Sequence, residues 1–388
     1  MKSNYLITKS TFIISLSFLI SFPVYGQNTD NTVQFNKKLI ASESYESVGV
    51  FDVNGDGNLD IISGSFWYEG PEFLDRHTTI NKGRHGQYWD DFATIPLDMN
   101  GNGLEDYVTG GWFSKSIVWR ENPGNHDEWQ EHIIDETGNV ETIRAWDVDS
   151  DGHLEIVPNN PNDPLKYYKL ERNSDGKSIG EFNKVTVYNE QGHGLGFGDV
   201  NGDGRGDFIV SAGWLEAPAD INNGSWTLHN EFDLGSASIP IQVIDVNRDG
   251  KNDLIVGQAH GYGLDWYEQT SDASGERAWK KHSIDPDNSQ FHTLEIADLD
   301  GDGSKELITG KRYRAHNGGD PGANDPIGIY YYKWNGESFA KHIIAYDTLG
   351  EGKGTGIYFS IADINGTGRN DIIVAGKDGL YIFYNEGH

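Results

Sequence analysis

Asp199-Val200-Asn201-Gly202-Asp203-Gly204-Arg205-Gly206-Asp207 puts oxygen-bearing side chains at the first, third, fifth and ninth positions of a nine-residue stretch, with Gly202 and Gly204 between them. The same arrangement recurs as Asp, any residue, Asp or Asn, any residue, a small polar residue, Gly, two residues of any type, then Asp or Glu. Seven copies run from Asp52 to Asp60, Asp98 to Asp106, Asp147 to Glu155, Asp199 to Asp207, Asp245 to Asp253, Asp298 to Glu306 and Asp363 to Asp371. Their starts lie 46, 49, 52, 46, 53 and 65 residues apart. Each is followed by a β-prone pair such as Ile61-Ile62, Ile209-Val210 or Ile372-Ile373, so a strand leaves every loop.

A second marker lies between the loops: an aromatic, two residues, often Lys or His, then an apolar residue. Phe35 to Ile40, Phe73 to Ile80, Trp129 to Ile134, Phe182 to Val187, Trp226 to Phe232, Trp279 to Ile284 and Phe339 to Ile344 carry it. A third strand type alternates aromatics, as in Phe66-Trp67-Tyr68 and Leu380-Tyr381-Ile382-Phe383-Tyr384. Several short strands per unit, repeated seven times, predict an all-β seven-bladed β-propeller. The chain opens on an aromatic strand at Phe35 and closes on another at Leu380, so the terminal strands are expected to complete one blade together and remove the free edges.

Oxygen ligands at alternate positions suit calcium, a hard cation that takes six to eight oxygens. An EF-hand would need a Glu at the twelfth position and flanking helices, and the pattern has neither. The expected ligands, copy by copy, are Asp52, Asn54, Asp56 and Asp60; Asp98, Asn100, Asn102 and Asp106; Asp147, Asp149, Asp151 and Glu155; Asp199, Asn201, Asp203 and Asp207; Asp245, Asn247, Asp249 and Asp253; Asp298, Asp300, Asp302 and Glu306; and Asp363, Asn365 and Asp371. Asn102 and Thr367 dilute the pattern, and plain Asx turns account best for those two copies.

The first residues read as an export signal over 1–26: Lys2 and Lys9, an apolar run from Phe12 to Phe22, and Val24-Tyr25-Gly26 before Gln27. Residues 27–388 are then the propeller, expected to be a soluble monomer in the periplasm or the medium, with no membrane insertion. With no cysteine, no disulfide can staple the fold, and metal ions are the natural substitute. The formal charge of −30 argues against nucleic acid. However, 22 of the 60 acidic residues sit in the loops, where bound calcium would offset them, so a locally basic site can still take an anionic substrate.

In a propeller the innermost strand lines the central channel. Six positions before each first Asp stand Glu46, Phe92, Glu141, His193, Ile239, His292 and Ile357. Four are titratable, which is unexpected for strands that merely pack, because a polar group buried without a partner is costly. A cationic and aromatic set follows the loops: Lys311-Arg312-Tyr313-Arg314-Ala315-His316, His260 in Gln258-Ala259-His260-Gly261-Tyr262, Trp214, and Arg84-His85-Gly86-Gln87-Tyr88-Trp89. Histidines, tyrosines and arginines without a nucleophile motif point to proton chemistry rather than acyl transfer.

The seven loops resemble the FG-GAP or VCBS repeats of integrin-type propellers and of exported bacterial proteins. Trp67-Tyr68-Glu69-Gly70-Pro71, His193-Gly194-Leu195-Gly196 and Gly310-Lys311-Arg312-Tyr313 further resemble stretches of the propeller ulvan lyases and ulvan-oligosaccharide dehydratases. That resemblance implies β-elimination on a uronic acid: a base removes the C5 proton, a cation neutralises the carboxylate, and the C4 substituent leaves. In this frame His193, His292, Arg312, Lys311, His260 and Tyr313 are the expected catalytic set. Glu46, Tyr88, Glu141, Arg144, Trp214 and Tyr358 are expected to bind a uronate-containing oligosaccharide. Structural calcium is the expected cofactor, with no organic one. The alternative is a calcium propeller that binds carbohydrate or protein without catalysis.

Overall fold

The apolar pairs that leave the acidic loops become the second strands of seven four-stranded antiparallel sheets. This computed structural model describes residues 32–388, and the signal expected over 1–26 lies outside them. The sheets are numbered here as blades 1 to 7 in chain order. Their innermost strands are Gly49–Phe51, Ile95–Leu97, Thr142–Trp146, Leu195–Gly198, Gln242–Ile244, Phe291–Ala297 and Ser360–Ala362. The second strands, such as Asp207–Val210 and Asp253–Gly257, are buried along their whole length. A blade is covered by a neighbour on each face, so its inner strands are apolar on both sides and do not alternate. The outer strands do alternate, as in Gln130–Glu136.

Blade 7 closes the ring as expected. The strand Gln34–Ala41 pairs antiparallel with Leu380–Gly387, Lys38 opposite Ile382. Between blades 1 and 2 a short hairpin, Arg84–His85 with Tyr88–Trp89, stands outside the blades. Among the described residues no helix is long and apolar enough to cross a membrane.

Each loop is folded by its own carboxylates. In blade 4, Asp199 Oδ1 accepts the N–H groups of Gly202 (2.7 Å) and Asp203 (3.1 Å), and Oδ2 that of Gly204 (2.8 Å). Gly202 and Gly204 sit at φ of +78° and +87°, a region that residues with a Cβ enter only at a cost. The ninth residue does something else. Asp207 is fully buried. Its Oδ2 accepts Val200 N–H (2.9 Å) and its Oδ1 accepts Ala217 N–H (2.9 Å), so one side chain ties the loop entry to the third strand. Asp60, Asp106, Asp253 and Asp371 make the same two bonds in their blades. The ninth residues, expected as cation ligands, therefore also have a structural task in the main chain. In these five blades both oxygens are main-chain clamps.

The Lys-or-His marker also finds its reason. In blade 4, Asn201 Nδ2 donates to Glu216 Oε1 (3.4 Å), Glu216 Oε2 meets His229 Nε2 (2.8 Å), and His229 stacks on Trp214 with centroids 4.2 Å apart. The same Asn, Glu, His and Trp relay recurs around Trp67, Trp119 and Trp266. Trp214 is therefore a blade-packing residue, 1% exposed, which corrects its assignment to a sugar face.

Replacing Asp207 by Ala strands two buried N–H groups at about 1–3 kcal/mol each. The chemical-denaturation midpoint is expected to fall accordingly, whereas Lys251→Ala, on an exposed loop position, should leave it unchanged.

Candidate functional site

The polar residues that start the inner strands meet at one mouth of the channel. Glu141 is the centre of the group. Its Oε1 lies 2.9 Å from His292 Nε2, 3.1 Å from Arg312 Nη1 and 3.6 Å from His193 Nε2. Arg312 Nε donates in turn to Glu46 Oε1 (3.0 Å), and Lys377 Nζ lies 3.4 Å from Glu46 Oε2. The two buried glutamates thus share two buried cations, and the expense of desolvating them is offset by mutual pairing. Burial alone would push Glu141 up, but the bonds from His193 and His292 outweigh it and hold the carboxyl well below its usual range. Burial, and then the Arg312 charge, push His292 well down.

His193 and His260 face one another. His193 Nδ1 lies 2.9 Å from the Ala237 carbonyl, which can only accept, so that nitrogen carries the hydrogen. His260 Nδ1 donates to Asp320 Oδ2 (3.1 Å), and the two Nε2 atoms stand 3.0 Å apart. Burial, with His193 adding to it, pushes His260 down to about 4. Asp320 Oδ1 also takes His316 Nδ1 (2.9 Å), and the His316 ring stacks on His260 at 4.4 Å.

The rim loop that carries His316 is built under tension. Arg314, His316 and Asn317 have φ of 53°, 45° and 58°, each costing on the order of 1–3 kcal/mol. Lys311 holds the loop from beneath: its Nζ donates to the carbonyls of Gly322 and of Asp325 (3.0 Å). Arg314 Nε bonds Gln87 Oε1 (3.0 Å), and Asn317 N–H donates to Tyr88 Oη (3.2 Å), which joins the loop to the hairpin. Together they enclose a cavity of about 220 Å3 lined by Tyr88, Phe92, Trp112, Phe113, Glu141, Arg312, His316 and Asn317. Lys377 Nζ sits 3.7 Å above the Tyr88 ring, and burial pushes the amine down to about 8.

A larger cavity of about 650 Å3 opens toward the loop ends of the inner strands. Its charged lining consists of Arg144, Glu295 and Lys305, and Arg144 is already committed to Glu295 Oε1 (2.6 Å), Ile239 O (2.7 Å) and Thr293 Oγ1 (2.7 Å). No imidazole is among its walls, whereas His316 lines the smaller cavity.

The structure therefore brings together Glu46, Glu141, His193, His260, His292, Arg312 and Tyr88. Five expected residues are corrected. Lys311 is a buried loop clamp, its ammonium spent on two carbonyls. Tyr313 pairs its backbone with Thr355 (3.2 Å) and does not line the cavity. Arg144 and Tyr358 form a cation–ring pair, 4.6 Å apart, across the channel and line the other cavity. His292, 0% exposed, is out of reach of a substrate and cannot be the base. Lys377, Asp320 and Phe113 were not singled out by sequence reasoning. The position of Lys377 after the seventh loop's strand, matching Arg312 after the sixth, was the available signal.

Calcium fits the loops unequally. In blade 3, Asp147 Oδ1, Asp149 Oδ1 and Glu155 Oε1 are buried without a hydrogen-bond partner, and the three carboxylates converge. Yet Lys169 Nζ already contacts Asp149 and, at 2.6 Å, Asp151. In blade 6 Lys333 does the same to Asp300 and Asp302. Lysine stands where the third loop position is Asp, and Glu where it is Asn in blades 1, 2, 4 and 5, while in blade 7 Tyr384 takes that place opposite Asn365. Lys169→Met should lower the melting temperature in chelator and enlarge the rise on adding calcium, because an uncompensated carboxylate cluster then depends on the ion alone.

The model of the FG-GAP-like repeat matches residues 98–158 and 245–309, so the chain contains FG-GAP-like repeats. No curated protein sequence matches it. Among solved structures, a lectin of Agrocybe aegerita, described for recognition of non-reducing terminal N-acetylglucosamine, aligns over 90% of this chain and 92% of its own, at 15% identity and a TM-score of 0.45. The extracellular domain of a one-component system from B. thetaiotaomicron aligns over 90% of this chain at 13% identity and a TM-score of 0.49. The chain spans 40% of that second structure's length.

Proposed function

We propose that the mouth of the channel binds the end of a uronate-containing oligosaccharide and catalyses β-elimination there, as a carbon–oxygen lyase that most resembles a dehydratase. The observation that carries this reading is the composition of the 220 Å3 cavity: an aromatic wall of Tyr88, Trp112 and Phe113 meets His316 and Arg312. Aromatic faces suit the apolar face of a sugar ring, while the imidazole and guanidinium supply proton transfer and charge. The volume falls below the ~300–1,000 Å3 of ordinary small-molecule sites. It suits one terminal residue better than a chain running through, which favours loss of water over chain scission.

His316 is the fitting base. Asp320 fixes its Nδ1–H, as the orienting group of a proton-transfer pair does, which leaves Nε2 as the acceptor. In the proposed step Nε2 takes the C5 proton, the C5–H electron pair forms the C4–C5 double bond, and the C4–O bond breaks. The departing oxygen takes a proton from the Tyr88 hydroxyl and leaves as water, or as a sugar in a lyase. Arg312, at the cavity wall, offsets the enolate-like charge that builds on the carboxylate. The acidic loops, where calcium would supply only charge compensation to the carboxylates, take no part in this step.

Mass spectrometry of uronate oligosaccharides after incubation should show a product lighter by one water, with new ultraviolet absorbance from the unsaturated uronate. His316→Ala and Tyr88→Phe should each lower kcat by about 10²–10⁴-fold. Calorimetric binding without any product would instead establish the non-catalytic propeller.

Lys377 sets a pH limb. Its pKa is depressed, so its charge, present below about 8, is lost as pH rises through that value. The cation over Tyr88 and one of the two cationic partners of Glu46 disappear together, and kcat/KM is expected to fall above about pH 8. In Lys377→Met the rate should be low and flat across this range, and retention of the alkaline limb in that variant would rule the assignment out.

A further inference from the structure

We infer that Glu141, His193 and His260 form a binding site for one divalent transition ion of the zinc type, separate from the acidic loops. Ligand atoms of these residues and of His292 all lie within 4.8 Å of one another. The argument rests on which nitrogens carry hydrogen. His193 Nδ1–H is spent on the Ala237 carbonyl and His260 Nδ1–H on Asp320. When both rings are neutral, so that His193 no longer donates to Glu141, both Nε2 atoms present lone pairs, and they do so to each other at 3.0 Å. Two facing lone pairs repel unless a cation lies between them.

Distances agree with such an ion. Ligands on a tetrahedral zinc, at about 2.0–2.1 Å, stand roughly 3.3 Å apart. His193 Nε2 is 3.0 Å from His260 Nε2 and 3.6 Å from Glu141 Oε1. Every ligand also has the outer partner that metal-bound groups require. Asp320 orients His260, the Ala237 carbonyl orients His193, and His292 with Arg312 orients Glu141. Two imidazoles and a carboxylate are borderline donors that suit zinc and its neighbours rather than calcium.

Three protein ligands leave a fourth position open, the arrangement of reactive rather than structural zinc. Glu141 lines the 220 Å3 cavity, so the open position faces it and would accept an oxygen ligand such as a carboxylate. The site goes beyond the elimination proposed above and does not rest on it, since ion binding is read without substrate.

The test uses the whole protein, stripped with chelator and returned to millimolar calcium so that the loops are supplied. It is titrated with Co2+ and with Zn2+, and metal content and the visible Co2+ absorption are recorded. About one equivalent should bind with a tetrahedral-type spectrum. Binding should weaken at least ~100-fold in His193→Ala and His260→Gln, and by about 10–100-fold in Asp320→Asn, which removes only an outer partner. Asp98→Asn, in an acidic loop, should leave it unchanged. Circular dichroism shows which variants are folded, and Asp320→Asn, on the rim loop, covers the case in which His193→Ala is not. Absence of a stoichiometric ion in the unmodified protein overturns the inference and leaves a proton shared between the two Nε2 atoms. Unchanged binding in folded His260→Gln overturns it as well.

Discussion

A buried carboxylate at the ninth position of each acidic loop carries the architecture. It has to be ionised and desolvated, which is unfavourable, and it is held there because its oxygens satisfy main-chain N–H groups that nothing else reaches. In five blades it joins the loop entry before the second strand to the far end of the third. Because Glu155 and Glu306 reach only one such N–H, through Val148 and Leu299 respectively, they keep a second oxygen free. Those are also the two blades in which lysine, not glutamate, faces the loop. Six of the blades thus use one of two solutions to the same electrostatic problem, an amide and glutamate relay in blades 1, 2, 4 and 5 and an ammonium group in blades 3 and 6.

The channel mouth repeats that logic with higher stakes. Glu46 and Glu141 are surrounded by Arg312, Lys377 and three imidazoles, and none of these groups would be tolerated there alone. Residues from blades 1, 3, 4, 5, 6 and 7 contribute, so the cluster exists only when those blades are in register around the axis. Chemistry is thereby placed on rigid strand ends, while the strained rim loop supplies the one imidazole exposed to the cavity.

Much of this was legible in the sequence, and the failures are informative. The loop spacing, the seven units and the closing strand follow from local patterns that the tertiary structure has no freedom to override. The inner-strand positions six residues before each loop led directly to Glu46, Glu141, His193 and His292, because polar residues in an apolar register need a partner. Burial could not be read the same way, so His292 and Lys311 were expected in contact with substrate when both are enclosed. Arg144 and Tyr358 are close in sequence to the right strand ends but belong to the other side of the channel, and a period of two does not distinguish its two mouths. His316, Asp320 and Lys377 lie on connections whose course depends on long-range bonds to Gln87 and Tyr88 in one case and to Glu46 in the other. No periodicity encodes such a course.

The pairing of Gln34–Ala41 with Leu380–Gly387 has a consequence for biogenesis. Contacts between the extreme ends of a chain are the slowest to form, since the whole intervening length must be brought into a ring before they gain anything. Until its last strand is synthesised, blade 7 has no outer partner and the ring keeps an open edge. A chain made in order from its first residue therefore keeps its opening strand unpaired until the last one exists, and the clasp between its two ends locks only when synthesis is complete.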